Sequence, residues 1–472
     1  MPASGALPGE RLLPGPFSAL VWASLAAGLG LLSAGAPFAA AGLTAAVVLF
    51  LVPWPVLFAI LAFASIFQGS STIVAGLTVR PDELVVAVFA ARAFLSTERV
   101  RFGRTEWLLV AFVAVQAATS LLHAEDVRAS LQATALLSVG ALAYLAVEAT
   151  VTTRRRLVFA TRALLAAITL AAAAGLIAVV SHLVVGTLRG VTLLPELGGF
   201  PAATGFAFEH NIFGSTVAAG AIVFLALWLE RNPVLSRRSS AMGFWLCMAA
   251  LAASLTRGAW IGFACGFVVL LLVSRGKPMA VVARRLAVQA LAVGAAFAVV
   301  AVVLFPGASG AGSLAASTIK QQAGRILDLE TYTGATRLLE WKIALADVPA
   351  SPLFGLGTNS YGQRHLEPTV ADPEPAYLGN WAIRTLYDSG IVGLALLSAF
   401  LASVVWPVRG LRRARGDLAS VARALTLGGV VLAVSYLATD AFLLAWPWVF
   451  LGLTRASRAF AQEQEMSSVS AE

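Results

Sequence analysis

Arg257 stands between two apolar runs, in Leu255-Thr-Arg-Gly-Ala-Trp-Ile-Gly262, and Arg189 follows a third; Arg337, Arg364 and Arg384 fall in the long segment that separates apolar runs further on. A charge beside hydrocarbon is costly and needs a partner. Guanidinium is planar, permanently charged and able to donate two parallel hydrogen bonds, a match for phosphate. Competing readings are an arginine whose stem lies along apolar surface, or an ion pair with Glu196, Glu209 or Glu340. For Arg257, squeezed between two helices, anion binding is favoured.

Other chemistries lack support. The chain has no glycine-rich Walker loop, no H-E-x-x-H, no paired C-x-x-C and no D-x-D, so neither ATP nor a tightly held metal is indicated, and no cofactor is expected. Cys247 and Cys265 both lie inside apolar runs, which argues against a disulfide framework. Of the histidines, His182 sits within a span and reads as structural, and His123 reads as a solvated turn residue beside Glu125 and Asp126.

The elements that must position these residues are membrane helices. Of 472 residues, 59% are hydrophobic and 12% charged, against about 25% charged in a soluble domain. The apolar runs do not alternate as barrel strands would. They recur near 17–35, 37–52, 54–68, 83–96, 107–122, 129–149, 157–187, 211–229, 240–256, 258–274, 286–305, 386–408, 421–439 and 441–455. The expected fold is an all-α, polytopic transmembrane bundle of about 12–14 spans. The second and third runs are short and divided by Pro53-Trp54-Pro55, which predicts a broken helix or a re-entrant pair.

The net charge of +9 is explained by orientation and calls for no nucleic acid partner. Basic loops at Arg99/Arg101/Arg104, Arg154–Arg156, Arg231/Arg237/Arg238, Arg275/Lys277/Arg284/Arg285 and Arg409/Arg412/Arg413/Arg415 all fall on one side of a fourteen-span layout, the cytoplasmic side by the positive-inside rule. Both termini are then cytoplasmic, and Phe17 to Gly35 reads as a retained span with no clear cleavage site. The outer side receives residues 188–210 and Pro306 to Thr385. The latter is a loop of about eighty residues, a length that is functional or disordered. Its tyrosines, Trp341 and Trp381 and the helical spacing of Arg337-Leu-Leu-Glu-Trp-Lys-Ile-Ala-Leu predict an ordered cap with short helices, entered by a flexible linker at Pro306-Gly-Ala-Ser-Gly-Ala-Gly. The expected organisation is 1–305 transmembrane, 306–385 cap, and 386–472 C-terminal helices and tail.

Four stretches carry a resemblance. Leu255-Thr-Arg-Gly-Ala-Trp-Ile-Gly262, Thr336-Arg-Leu-Leu-Glu-Trp-Lys-Ile-Ala-Leu345, Ser351-Pro-Leu-Phe-Gly-Leu-Gly-Thr-Asn-Ser-Tyr361 and, upstream, Gly205-Phe-Ala-Phe-Glu-His-Asn-Ile-Phe-Gly-Ser215 resemble, in order and spacing, signatures of the O-antigen ligase/polymerase family. A fifth, H-[NSQ]-x9-G-x-x-[GTY], aligns with Gly379-Asn380 and Gly390-Ile-Val-Gly393, but Gly379 occupies the histidine position. The family's ligases use that histidine to activate the acceptor, and a glycine cannot.

The resemblance implies a bacterial inner-membrane glycosyltransferase whose donor is a glycan on a polyprenyl (undecaprenyl) diphosphate. Its acceptor is a glycan or lipid, and fixed cations take up the diphosphate charge. Arg189, Arg257 and Arg337 match the diphosphate arginines. Candidates for the base that an acceptor hydroxyl needs are Glu340, His365, His210 and Glu209; Glu340, three residues after Arg337, equally describes a helix-face salt bridge. Trp341, Tyr361, Arg364, Trp381 and Arg384 are candidate sugar or cap contacts, with packing as the competing role of the aromatics. The missing histidine tilts the reading toward polymerisation over ligation to lipid A-core or another acceptor. A transporter or flippase and a non-catalytic assembly component are the remaining alternatives.

Overall fold

The computed structural model of the chain describes residues 37–68, 72–74, 77–96, 102–194, 199–273, 332–366, 376–406 and 416–469. The expected spans at 17–35 and 286–305, the linker at 306–312, Glu196 and the basic residues at 99–101, 275–285 and 409–415 lie outside the described residues.

The fold is all-α and polytopic. Its helices are α1 (Pro37–Leu51), α2 (Trp54–Ile66), α3 (Pro81–Ser96), α4 (Arg104–Leu122), α5 (Val127–Thr150), α6 (Arg154–Val185), α7 (His210–Glu230), α8 (Arg237–Ser254), α9 (Arg257–Val273), α10 (Tyr332–Asp347), α11 (Tyr361–Arg364), α12 (Trp381–Val405), α13 (Asp417–Ser435) and α14 (Ala445–Val469). Among the described residues α4, α5, α6, α7, α12 and α13 are long and apolar enough to cross a membrane, while the apolar α2 and α9 are shorter. Pro53 separates α1 from α2 as the residue before the helix, and Pro55 sits in the first turn of α2, where its missing N–H leaves no helical bond unmade.

Two features are not helical. Strands β1 (Thr72–Val74) and β2 (Leu77–Val79) pair antiparallel, as do β3 (Val191–Leu194) and β4 (Phe200–Ala203), where Val191 faces Ala203 and Leu194 faces Phe200. The second hairpin occupies the expected outer segment 188–210. Such short strands leave too little alternation in the sequence to be seen beforehand.

Helix α7 is buried along nearly its whole length, with α6, α8, α9 and α13 packed around it. Its neighbours alternate in direction, so the bundle has two chemically different ends. At one end Arg154 meets Asp417 at 3.3 Å, Arg423 meets Glu230 at 2.7 Å, and Arg455 bridges Glu106 at 3.2 Å and Glu148 at 3.5 Å. Arg156 lies over the Trp54 ring there. At the other end lie the α4–α5 turn, strands β3 and β4, the α8–α9 junction, residues 332–366 and 376–380, and the loop Tyr436–Leu444 between α13 and α14. Capping side chains define the helix starts, with Asp126 accepting from Ala129 N–H and Asn380 accepting from Ala382 and Ile383 N–H.

Helix α12 is broken at Ser389 and Gly390, and Gly390 has φ +64°. The break admits the backbone of Ser351–Tyr361. Ile391 N–H donates to Pro352 O at 2.9 Å, Val392 N–H to Leu353 O, Leu356 N–H to Tyr387 O, and Gly357 N–H to Asp388 O. A Cβ at Gly390 would stand 2.2 Å from Leu353 C, and one at Gly355 (φ +76°) 2.4 Å from Ser389 N. Both glycines are needed for conformation and for close approach. Gly355→Ala and Gly390→Ala are each expected to destabilise the chain by about 3 kcal/mol or more, read as a lowered melting temperature in detergent. Gly379→Ala serves as the control, because a Cβ there meets nothing nearer than 3.5 Å.

Candidate functional site

Ser351–Tyr361 is pinned on two sides. Against α12 it makes the backbone bonds just described. Against α4 and α5 it inserts Thr358, whose hydroxyl bonds Gln116 Oε1 at 2.8 Å, Thr134 Oγ1 at 2.8 Å and Ser120 Oγ at 2.9 Å, while Ser130 Oγ donates to Thr358 O at 2.8 Å. Every member is buried, and such networks hold one arrangement when each polar group is satisfied.

Beyond Thr358, Asn359 links the segment to a buried charge cluster. Arg384 donates to Asp440 Oδ2 at 2.6 Å and to Asn359 Oδ1 at 3.0 Å, and pairs with Asp388 at 3.5 Å. Asn359 N–H donates to Asp388 Oδ2 at 2.9 Å. The three charged side chains are no more than 8% exposed.

Around this cluster the loop Tyr436–Leu444 collects the other candidates. Tyr436 O accepts from Trp381 N–H, Ala438 O accepts from the Arg337 guanidinium, and Leu443 O accepts from Arg80. The Asp440 backbone bonds the Tyr377 hydroxyl through both its N–H and its carbonyl. His210 opens α7, and its carbonyl accepts from Thr256 Oγ1 at 3.0 Å, immediately before Arg257 at the head of α9. Its Nδ1 is buried with no hydrogen-bond partner among the described residues. Gly258 packs against Ala438, so the Arg257 backbone lies beside the carbonyl that holds Arg337. Glu209 accepts from the Asn211 amide and acts electrostatically on Tyr377. Burial, then Asp440 and Glu209, push the Tyr377 phenol far above the usual tyrosine range, so its ring is neutral.

Thus Arg257, Arg337, His210 and Glu209 converge, with Arg384 and Trp381 joined to them through the Tyr436–Leu444 loop. Arg189 is exposed at the foot of the β3–β4 hairpin, its N–H donating to Thr187 Oγ1. His365 and Arg364 belong to a second cluster. His365 Nε2 meets Asp347 Oδ2 at 2.7 Å, Tyr387 donates to the same oxygen at 3.1 Å, and Arg364 meets Glu125 at 3.5 Å. Tyr361 is buried against His365 and Tyr387, with its hydroxyl donating to Glu340 O at 3.3 Å; Glu340 itself is buried, and Trp341 packs on this cluster. Trp381 Nε1 donates to Ala433 O, and its ring stands edge-on to Phe442.

Sequence reasoning missed Asp388, Asp440, Asn359 and Thr358, and did not select Tyr377 as a site residue. A signal existed for the two acids, since each interrupts an apolar stretch where an ionised group requires a partner. None existed for Thr358, an ordinary residue until its partners on α4 and α5 are known.

Among the described residues no group of three or more His, Cys, Asp or Glu side chains is placed to hold a metal ion. The structure brings two arginines, a carboxylate and an imidazole to one end of the bundle. No curated protein matches the chain. Residues 242–398, which contain Arg257, Arg337, the Ser351–Tyr361 segment and the glycine break in α12, match the family model described as O-antigen ligase, and this part of the chain is similar to that family.

Proposed function

We propose that the chain is an integral-membrane glycosyltransferase that uses a polyprenyl-diphosphate-linked oligosaccharide at the outer face of a bacterial inner membrane, and that it polymerises surface-polysaccharide repeats. The observation that supports this reading is that Arg337, held on Ala438 O, and Arg257, next to the Gly258 that lies against Ala438, come to the same end of the bundle as His210, whose carbonyl is held by Thr256. In this reading residues 332–366 and 376–380 belong to the outer side, and the basic loops face the cytoplasm as the positive-inside rule has it.

In this reaction an acceptor hydroxyl attacks the anomeric carbon, the bond from that carbon to the diphosphate oxygen breaks, and polyprenyl diphosphate leaves with its charge on Arg257 and Arg337. The hydroxyl proton passes to Glu209. His365 is less well placed, because α10 carries its partner Asp347 about 15 Å along the helix from Arg337. Arg189, exposed at the hairpin, meets the diphosphate on its way in. A leaving group already activated as a diphosphate needs no nucleotide and no metal.

Gly379 favours polymerisation, since the acceptor-activating histidine of the ligases is replaced. Ligation is the second reading, favoured by the description of the matching family. The purified full chain, reconstituted in nanodiscs with polyprenyl-diphosphate oligosaccharide and EDTA, is expected to yield lengthened lipid-linked glycans. Transfer to a separate lipid acceptor instead would establish ligation. Intact binding with neither product would contradict the enzymatic reading.

A further inference from the structure

The aromatic residues chosen from sequence as sugar platforms are committed elsewhere. Tyr361 is 3% exposed, Trp381 is tied to Ala433 and Phe442, and Trp341 is packed beneath the second cluster. Tyr377 differs. Its hydroxyl end is fastened to the backbone of Asp440, itself held by Arg384 at 2.6 Å, yet 38% of the residue is exposed. An aromatic side chain fastened at its far end, on a residue more than a third exposed, has lost its side-chain freedom before any ligand arrives, which lowers the entropy cost of binding. Its neighbours fit a sugar. Glu209 stands one residue before His210, whose carbonyl is held by Thr256 beside the Gly258–Ala438 contact, two residues from the Asp440 that anchors Tyr377, and a carboxylate accepts hydrogen bonds as sugar hydroxyls require. Arg337 is held two residues away, on Ala438 O. A Cβ at Gly379 would lie 3.5 Å from Tyr377 Cε1, so any side chain at 379 would pack along the ring.

We infer that Tyr377 and Glu209 form a saccharide subsite in which a pyranose ring of the glycan stacks on the tyrosine while its hydroxyls donate to the carboxylate. This rests on the proposed glycan-transfer reading and adds to it the residue that grips the sugar. The apolar face of the pyranose lies on the ring, and the diphosphate end of a donor, or the growing end of an acceptor, reaches the Arg337 side of the Tyr436–Leu444 loop.

The test separates the ring from its hydroxyl. Tyr377→Phe and Tyr377→Leu both lose the bonds to Asp440, but only phenylalanine keeps an aromatic face. Full-length wild type and both variants, in nanodiscs, are applied to an array of lipid-free bacterial surface oligosaccharides, and the KM and kcat of each are measured with polyprenyl-diphosphate oligosaccharide. Wild type should bind at least one array glycan. Tyr377→Phe should retain that affinity to within about threefold, and Tyr377→Leu should weaken it about tenfold and raise KM more than it lowers kcat. Equal losses in the two variants would mean that only the hydroxyl matters and would overturn the subsite. Normal turnover with unchanged KM in Tyr377→Leu would also overturn it while leaving the transferase reading intact. Tyrosine-dependent glycan binding without turnover would support the subsite and refute the transferase reading. Absence of both binding and turnover would refute both.

Discussion

Arg257→Ala and Arg337→Ala are each expected to reach the membrane folded and to lose about a hundredfold to a thousandfold in transfer rate, the usual cost of removing one fixed donor from a site where charge develops. The leaving diphosphate gains charge as the anomeric bond breaks, so a guanidinium placed there is worth more in the transition state than in the bound donor. The loss should therefore fall mainly on kcat. Arg337→Lys should recover only part of the rate, because lysine keeps a charge but not the planar fork. Arg337 also donates to Ala438 O, so monodispersity and melting temperature must accompany the rates. Wild-type turnover in either alanine variant would remove that arginine from the diphosphate site.

The second large effect is structural. Arg384 is buried between Asp440 and Asp388, and Arg384→Met leaves two buried carboxylates without their cation. The expected loss is about 3–5 kcal/mol, seen as a lowered melting temperature in detergent and as lost activity, although Arg384 is committed to acids and not to sugar. Adding Asp388→Asn and Asp440→Asn to Arg384→Met should recover much of the stability, since the uncompensated charges are then gone. Melting of the single variant at the wild-type temperature would show that the cluster does not hold α12 to the Tyr436–Leu444 loop.

Apolar runs announced the helices of the bundle because length and hydropathy are local properties. The β3–β4 hairpin was not legible, since its register depends on the chain folding back over α6 at Gly190, whose carbonyl accepts from Thr204 and Gly205 N–H. Arg257 and Arg337 stood out because a cation next to hydrocarbon demands explanation from sequence alone. Arg384 stood out for the same reason, but its partners are 4 and 56 residues away, and only the fold shows that it is spent on them. Gly390 was recognisable as part of a motif; that it breaks a helix to admit Pro352 and Leu353 is a tertiary fact. Tyr377 resembled its aromatic neighbours in sequence and is distinguished by exposure and anchoring, which spacing does not encode.

In the proposed reaction a lipid diphosphate is held between Arg257 and Arg337, at the end of the bundle opposite Arg154 and Arg423. An experimental structure of the full chain in nanodiscs with a polyprenyl-diphosphate oligosaccharide tests it directly. Diphosphate density is expected within hydrogen-bond distance of both guanidinium groups, with the first sugar toward Glu209 and Tyr377. Diphosphate density at the Arg154 and Arg423 end, or against neither Arg257 nor Arg337, would contradict it.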